Sequence, residues 1–426
     1  MSKTSYETNV VHQYFRGDET NSIVRPIHPT TAYFFNDADH GADLFDLKVV
    51  GNIYTRLTNP TYDAFGQTIA QLEGGVAGIS TASGASAISL AILALVKSGD
   101  HIIASKTIYG GSISLFNNQL KQLGIETTFI DQEASYDELS KEIKENTKLI
   151  FAETIGNPTV PVLDYEKFSA LAKSYHLPLV IDNTFAPYLF KPLDYGANIV
   201  IYSATKYLGG HGNVIGGVIV DGGNFDWAKD DKFIHLTSPD DSYHGLNFYA
   251  TFKEAAYGLY VRAKCLRDYG PTLSPFNAYL LSTGLQTLVL RLERHSANAL
   301  NLAKYLEKHE AIEWVLYPGL TSHPNYDIAS RYLTKGASGI LAFGIKGGLE
   351  AGKKFINSLE LGIHAVNVGD VRTIVTHPAS TTHRQLNAEQ LKASGIEDNL
   401  IRISVGIENI DDLIADIEQA LKKSQL

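Results

Sequence analysis

The sequence predicts an α/β protein with a large domain on a mostly parallel sheet and a smaller C-terminal α+β domain. Two observations lead there. Between about residues 75 and 220, short apolar runs alternate with longer amphipathic stretches, the pattern of βαβ units whose sheet is covered on both faces. Beyond about residue 270 the alternation stops, and a long helical run is followed by strand-like segments. A chain of 426 residues also exceeds what one small core organises, so two domains are expected.

Along the chain, residues 1–62 show little periodicity and are expected to form an extended arm. "HIIAS", "TTFID", "KLIFAE", "PLVIDN", "NIVIYS" and "GGVIVD" begin at residues 101, 127, 148, 178, 198 and 216. Each is short, apolar and flanked by Gly, Pro or Asp, which favours buried strands over buried helix segments. Between them, "GASAISLAILALVKSG", "SISLFNNQLKQLG", "SYDELSKEIKENT" and "YEKFSALAKSYH" have helical spacing and length. "PFNAYLLSTGLQTLVLRLERHSANALNLAKYLEKH" keeps that period for some thirty residues and is expected to link the domains. After it, "SGILAFGIKGG", "GIHAVNVGD", "TIVTHPAS" and "LIRISVGIE" are strand-like, while "LEAGKKFINSLE" and "IDDLIADIEQALKKSQL" are helical. The expected division is 1–62 for the arm, 63–285 for the large domain and 286–426 for the small one.

Bulk properties exclude several classes. A net charge of -10 and a pI near 5.8 argue against a nucleic-acid binder, which needs a basic patch. The longest apolar stretch, "AISLAILALV", is far short of a membrane span. The opening "MSKTSYETNVVHQYF" has no basic-then-apolar pattern, so no secretory signal and a cytoplasmic protein are expected. Cys265 is the only cysteine, which excludes internal disulfides and cysteine-rich metal sites. Met1 is the only methionine; its absence from the core, where it usually fills gaps, suggests an economy of sulfur.

Chemistry gathers where strands end. Asp182 closes "PLVID", Lys206 follows "NIVIYS", and Glu153 with Asn157 follows "KLIFA". Any one of them alone reads equally well as a turn or capping residue. Together they fall on one rim, and ligands of open α/β sheets bind outside the carboxyl ends of the strands. A lysine at the end of a buried strand loses hydration, which favours the neutral, nucleophilic amine. The glycines of "SATKYLGGHG" (203–212) suit either a tight active-site turn or an anion loop.

A pyridoxal phosphate site would use this set. Lys206 would carry the cofactor, and Asp182 would keep its ring nitrogen protonated so that the ring withdraws electrons. In "ASGAS" the Gly84 and Ala85 amides sit at a predicted helix N-terminus, where dipole and free donors favour a phosphate. Ser203 and Thr205 flank the lysine, and Tyr109 follows the strand "HIIAS" as a ring to stack. "GGHGNVIGG" lacks a dinucleotide or P-loop spacing. His377 and His383 do not match a metalloprotease helix, and no metal is expected; His211 reads as a local hydrogen-bonding residue.

On these residues the chain resembles the Cys/Met-metabolism pyridoxal-phosphate enzymes, the trans-sulfuration group. The likeness runs through "YTRLTNPT" (54–61), "ASGASAI" (82–88), "YGG" (109–111), "ETIGNPT" (153–159), "IDNTFA" (181–186), "SATKYLGGHG", "THPASTTH" (376–383) and "IRISVGIE" (401–408), in order. The resemblance implies fold type I of the pyridoxal-phosphate transferases and a homo-oligomer, a tetramer built from dimers that share active sites. Lys206 and Tyr109 would be the catalytic residues, with Asn157 at the cofactor's 3-oxygen or the substrate. Tyr54 and Arg56 would reach the phosphate site of the neighbouring subunit, Tyr54 touching substrate as well. Arg402 would clamp the substrate's α-carboxylate.

Two departures matter. Ala85 stands where a Ser-Ser-Gly-Met pattern is commoner, so it can serve only through its backbone, and Asn367 in "AVNVGD" replaces a usual serine near the lysine. Asn367, Asp370 and the segment "SPDDSYHG" (238–245) resemble the O-acetylhomoserine sulfhydrylase branch. The implied reaction joins O-acetylhomoserine and sulfide to give homocysteine and acetate. Cystathionine γ-synthase and γ-lyase activities are the alternatives within the family. A non-catalytic cofactor-binding regulator is the alternative outside it, though the arm offers no basic recognition helix.

Overall fold

The computed structural model describes residues 4–381 and 397–426, so His383 lies outside the described residues. In the large domain seven strands form one sheet: β1 (Ala77–Thr81), β2 (His101–Ser105), β3 (Glu126–Ile130), β4 (Thr147–Glu153), β5 (Leu179–Asp182), β6 (Ile199–Ser203) and β7 (Gly217–Asp221). Their spatial order is β1-β7-β6-β5-β4-β2-β3. All neighbours are parallel except β7, which runs antiparallel to both β1 and β6. The carboxyl ends of β4, β5 and β6 therefore lie side by side at the centre of the sheet. Alternation sorts their side chains: Ala152, Ile181, Val200 and Tyr202 join one apolar cluster, while Phe151, Val180, Ile199 and Ile201 join the other.

A second sheet contains β8 (Ile312–Leu316), β9 (Ile340–Ile345), β10 (Ile363–His364), β11 (Ile374–Thr376) and β12 (Leu400–Ser404) in the order β10-β11-β12-β9-β8. Only β10 and β11 pair in parallel among these described strands. Helices Gly348–Ser358 and Ile410–Ser424 accompany it. The main apolar cluster contains residues of both sheets, such as Tyr202 and Ile403, so the two domains share buried surface.

Local chemistry explains the differences from expectation. The arm is not featureless: α1 (Tyr6–His12) and α2 (Ala38–Phe45) are helices. Each is only two turns long, too short to show a period, and each starts at a side-chain cap, Ser5 on Thr8 and Asp37 on His40. Val10 of α1 is buried in the main core. The next helix, α3 (Pro60–Glu73), begins at the cap Asn59. The thirty-residue helical run is two helices, Pro275–Leu285 and Leu288–Leu306. β1 and β8 escaped detection because "AGIST" is small and glycine-containing and "IEWVL" abuts the helical run. "GIHAVNVGD" contributes only two residues of strand.

The helices α4 (Gly84–Leu93), α5 (Gly110–Ser114), α6 (Tyr136–Lys141) and α7 (Tyr165–Ser174) alternate with the strands. α3 packs on β1 backbone to backbone. A Cβ at Gly78 would stand 2.0 Å from the Gly66 carbonyl oxygen, and one at Gly66 would stand 2.8 Å from that of Gly78. Replacing Gly78 by Ala must separate the two elements, and overpacking of this kind costs about 3 kcal/mol. Gly78→Ala is expected to lower the guanidinium midpoint of unfolding; an unchanged midpoint would contradict the contact.

Candidate active site

One cavity of about 290 Å³ opens at the central strand ends. It is the size of a small-molecule site. Ten of the sequence-predicted residues line it: Gly84, Ala85, Tyr109, Asn157, Asp182, Ser203, Thr205, Lys206, Asn367 and Arg402. Glu153 lines it too. Tyr54 and Arg56 do not. They line a separate surface depression with Phe45 and Arg267, where the Arg56 guanidinium donates to the Arg267 carbonyl.

The anion side is built at the start of α4. Ser83 is its cap, and Ser83 and Ser86 exchange side-chain-to-backbone hydrogen bonds at 2.9 and 3.1 Å, which leaves the next amides free. Gly84 has to be glycine, because a Cβ would lie 2.5 Å from Ser203 Cβ and 2.7 Å from its hydroxyl. That missing methyl leaves a cradle between the helix start and Ser203. Thr205 Oγ1 lies at the cavity but is engaged with Gly216, donating to its carbonyl at 3.2 Å and accepting its N–H at 3.1 Å.

The opposite side holds buried charge. Asp182 accepts the Thr184 N–H at 2.9 Å, and among the described residues no cation pairs with it. Burial pushes its carboxyl up to about 6. Glu153 ends β4 in register with Asp182; burial, then the charge of Asp182, raise its pKa well above the ordinary range. Lys206 Nζ donates to Asn367 Oδ1 at 2.6 Å. Burial, and then the Arg402 charge, lower the amine to about 8, so a usable neutral fraction exists at physiological pH. Arg402, on β12, donates to Asn157 Oδ1 at 2.9 Å through Nη1, while its buried Nε has no partner among the described residues. Burial of the guanidinium pulls its pKa down to about 10, and it remains charged.

These features fit pyridoxal phosphate: a glycine-cleared cradle at a helix start, a deprotonatable amine, and a buried acid with no internal counter-ion. Among the described residues no cluster of His, Cys, Asp or Glu is placed to hold a metal ion, and no helix is long and apolar enough to cross a membrane. His377 is buried between Ser380 and the Asp398 carbonyl. His211 bonds the Gly209 carbonyl at 2.7 Å.

Sequence reasoning missed what stands behind the cavity. Thr154, Asn183 and Tyr202 each adjoin a cavity residue (Glu153, Asp182, Ser203) and point to the other face. Tyr165 donates to Thr154, Thr154 Oγ1 to Asn183 Oδ1 at 2.6 Å, Asn183 Nδ2 to Tyr202 at 2.8 Å, and Tyr202 to the buried carboxylate of Glu73. Arg291 donates to the carbonyls of Tyr207 and Gly284, both at 2.7 Å, and so holds the turn that follows Lys206. A signal for both existed: Glu73 and Arg291 are charges on otherwise apolar helical stripes, with Phe65, Ile69 and Leu72 in one and Leu288 and Leu292 in the other.

Residues 7–422 match the model of the Cys/Met metabolism PLP-dependent enzyme family. The chain is 48% identical over 413 residues to the O-acetyl-L-homoserine sulfhydrylase of Leptospira meyeri, covering 95% of this chain and 93% of that protein. It is 47% identical over 421 residues to the homocysteine synthase of Schizosaccharomyces pombe, covering 98% of each. A crystal structure of a putative O-acetylhomoserine (thiol)-lyase from Campylobacter jejuni, which carries N′-pyridoxyl-lysine-5′-monophosphate, is similar with a TM-score of 0.95 and 40% identity over 98% of this chain and all of that one.

The buried Asp182 makes a testable demand on the cofactor-free protein. Its folded pKa of about 6 exceeds that of an unfolded aspartate, about 3.9. The group's stabilising contribution is complete below the unfolded value and is lost as pH rises through about 6. Asp182→Asn keeps the acceptor for Thr184 and removes the charge. The cofactor-free variant should melt above the parent at pH 8, by an amount on the order of 2 kcal/mol, and the gap should close toward pH 4. A gap that does not change with pH would refute the burial of an uncompensated charge.

Proposed function

Because the chain belongs to the Cys/Met metabolism PLP-dependent enzyme family, we propose that it makes homocysteine and acetate from O-acetylhomoserine and sulfide. The observation that carries this reading is the Lys206 amine, held on Asn367 within the same cavity as Asp182 and Arg402. Full-length relatives named for that reaction support the choice of substrate.

Lys206 would hold the cofactor, Asp182 would face its ring nitrogen, Tyr109 would stack on the ring, and Asn157 would meet its 3-oxygen. Gly84, Ala85, Ser203 and Thr205 would receive its phosphate. Bound there, pyridoxal phosphate supplies an electron sink that acidifies the hydrogen on the substrate's Cα. The chain's own groups do the rest. Arg402 takes the α-carboxylate, and its unpartnered Nε offers a second donor for a bidentate grip. That grip orients the Cα hydrogen toward Lys206. The Lys206 amine, lowered to about 8, is matched to proton transfer near neutral pH. It takes the proton at Cα, gives that proton up, and takes one at Cβ so that acetate can leave Cγ; after sulfide bonds to Cγ, protons return to Cβ and Cα and the amine is neutral again. Asn367 Oδ1 returns the amine to a fixed position between transfers. No protein thiol takes part: Cys265 is buried, and burial pushes its thiol up to about 12.

Tyr54 and Arg56 stand outside this cavity, and we infer that they complete the phosphate site of a neighbouring copy in a homo-oligomer, a tetramer of two dimers. Exposed apolar residues along the same arm, Ile23, Phe34 and Val50, support a covered interface there. The domain division at residues 62 and 285 and a cytoplasmic location belong to the same reading.

Two experiments test it. Lys206→Ala should lose homocysteine formation entirely and retain no borohydride-trapped cofactor; turnover at the parental rate would end the assignment. Arg56→Ala and Lys206→Ala, each inactive alone, should regain about one quarter of parental activity when unfolded and refolded together, because half the dimers are then mixed and each holds one intact site. No recovery would mean that each copy completes its own site.

A further inference from the structure

Tyr109 is 53% exposed, and its side chain makes no capping hydrogen bond at the start of α5. The ring leans over Gly111, where a Cβ would lie 2.4 Å from ring carbon Cε1. The peptide that carries it is gripped from two sides. Ser105 and Thr107 both donate to Gln132 Oε1, at 2.9 and 2.7 Å. The Thr107 carbonyl lies so close to Gly156 that a Cβ there would be 2.4 Å away. A third grip acts on residue 109 itself: the Tyr109 N–H donates to Glu153 Oε1 at 2.7 Å.

Glu153 is only 6% exposed and ends β4 beside Asp182. Two buried carboxylates in register would repel, and a neutral acid avoids this while keeping an oxygen to accept the amide hydrogen. Its raised pKa agrees with that state. We propose that Glu153 is a positioning residue for the reaction: by accepting the Tyr109 N–H it sets where the Tyr109 ring stands over the cofactor. The inference rests on the cofactor reading above and concerns a residue to which that reading gives no role.

The test uses loaded enzyme and three variants. Glu153→Gln keeps a neutral acceptor of the same length. Glu153→Met fills the space without accepting, and Glu153→Asp keeps the carboxyl but falls a methylene short. Amide exchange in the peptide spanning 106–115, the visible circular dichroism of the bound cofactor, and kcat and KM are measured for each. The Gln variant should match the parent in exchange and dichroism, with kcat within about threefold. In the Met variant residue 109 should exchange about tenfold faster, the dichroic band should weaken, and kcat should fall more than KM rises. The Asp variant should behave like Met, which preserves the test if the Met variant does not fold. Unchanged exchange and dichroism in both short or apolar variants would overturn the proposal, as would a Gln variant as impaired as Met. Failure of the cofactor reading itself would show separately, as parental protein that binds no pyridoxal phosphate.

Discussion

Charge buried without an internal counter-ion is the constraint around which this molecule is arranged. Among the described residues no cation pairs with Asp182, Arg402 keeps a buried nitrogen without a partner, and Lys206 bonds the neutral amide of Asn367 with the Arg402 charge nearby. A fold usually pairs such groups or leaves them in water, because uncompensated burial is costly. Here the charges are kept apart across one cavity, acids on the β4 and β5 ends and cations on the β6 turn and β12. Pyridoxal phosphate, with a basic ring nitrogen that can carry a proton and an anionic phosphate, offers partners for groups that the protein alone leaves unsatisfied.

Holding those charges in place falls to groups that never enter the cavity. Thr154, Asn183 and Tyr202 tie the ends of β4, β5 and β6 together from the reverse face. Thr154, Asn183 and Tyr202 donate in turn toward Glu73, while Asn183 also donates to the Ala186 and Phe190 carbonyls. Arg291 performs a similar task for the turn after Lys206 by satisfying three backbone carbonyls with one buried cation. The hydrogen bonds of the Glu73 network link the three strand ends, although Glu73 Oε2 has no partner among the described residues. The Lys206 amine and the Asp182 carboxyl thus take their positions from the sheet.

The two domains meet through the same groups. Lys206 on the large domain bonds Asn367 on the small one, and Arg402 on the small domain bonds Asn157 on the large one.

Much of this was legible in the amino-acid order. The β4, β5 and β6 strands announced themselves because parallel strands buried on both faces read as unbroken apolar runs, and the residue after such a run lies on the ligand-binding rim. Asp182 and Lys206 could therefore be placed together from spacing alone. Asn367 and Arg402 were tied to the site by likeness to a family, since nothing in their spacing puts residues over 150 positions away beside Lys206. Helices α1 and α2 were too short to declare a period, and β1 was small and glycine-containing, so its apolar run was not marked off from its surroundings. Which face of the sheet Asn183 serves, that Glu153 reaches the Tyr109 amide, and that Arg56 lies outside its own cavity depend on how strands stack and loops return. Spacing along a chain records periodicity, which is local; a hydrogen bond between strand ends records packing, which is not.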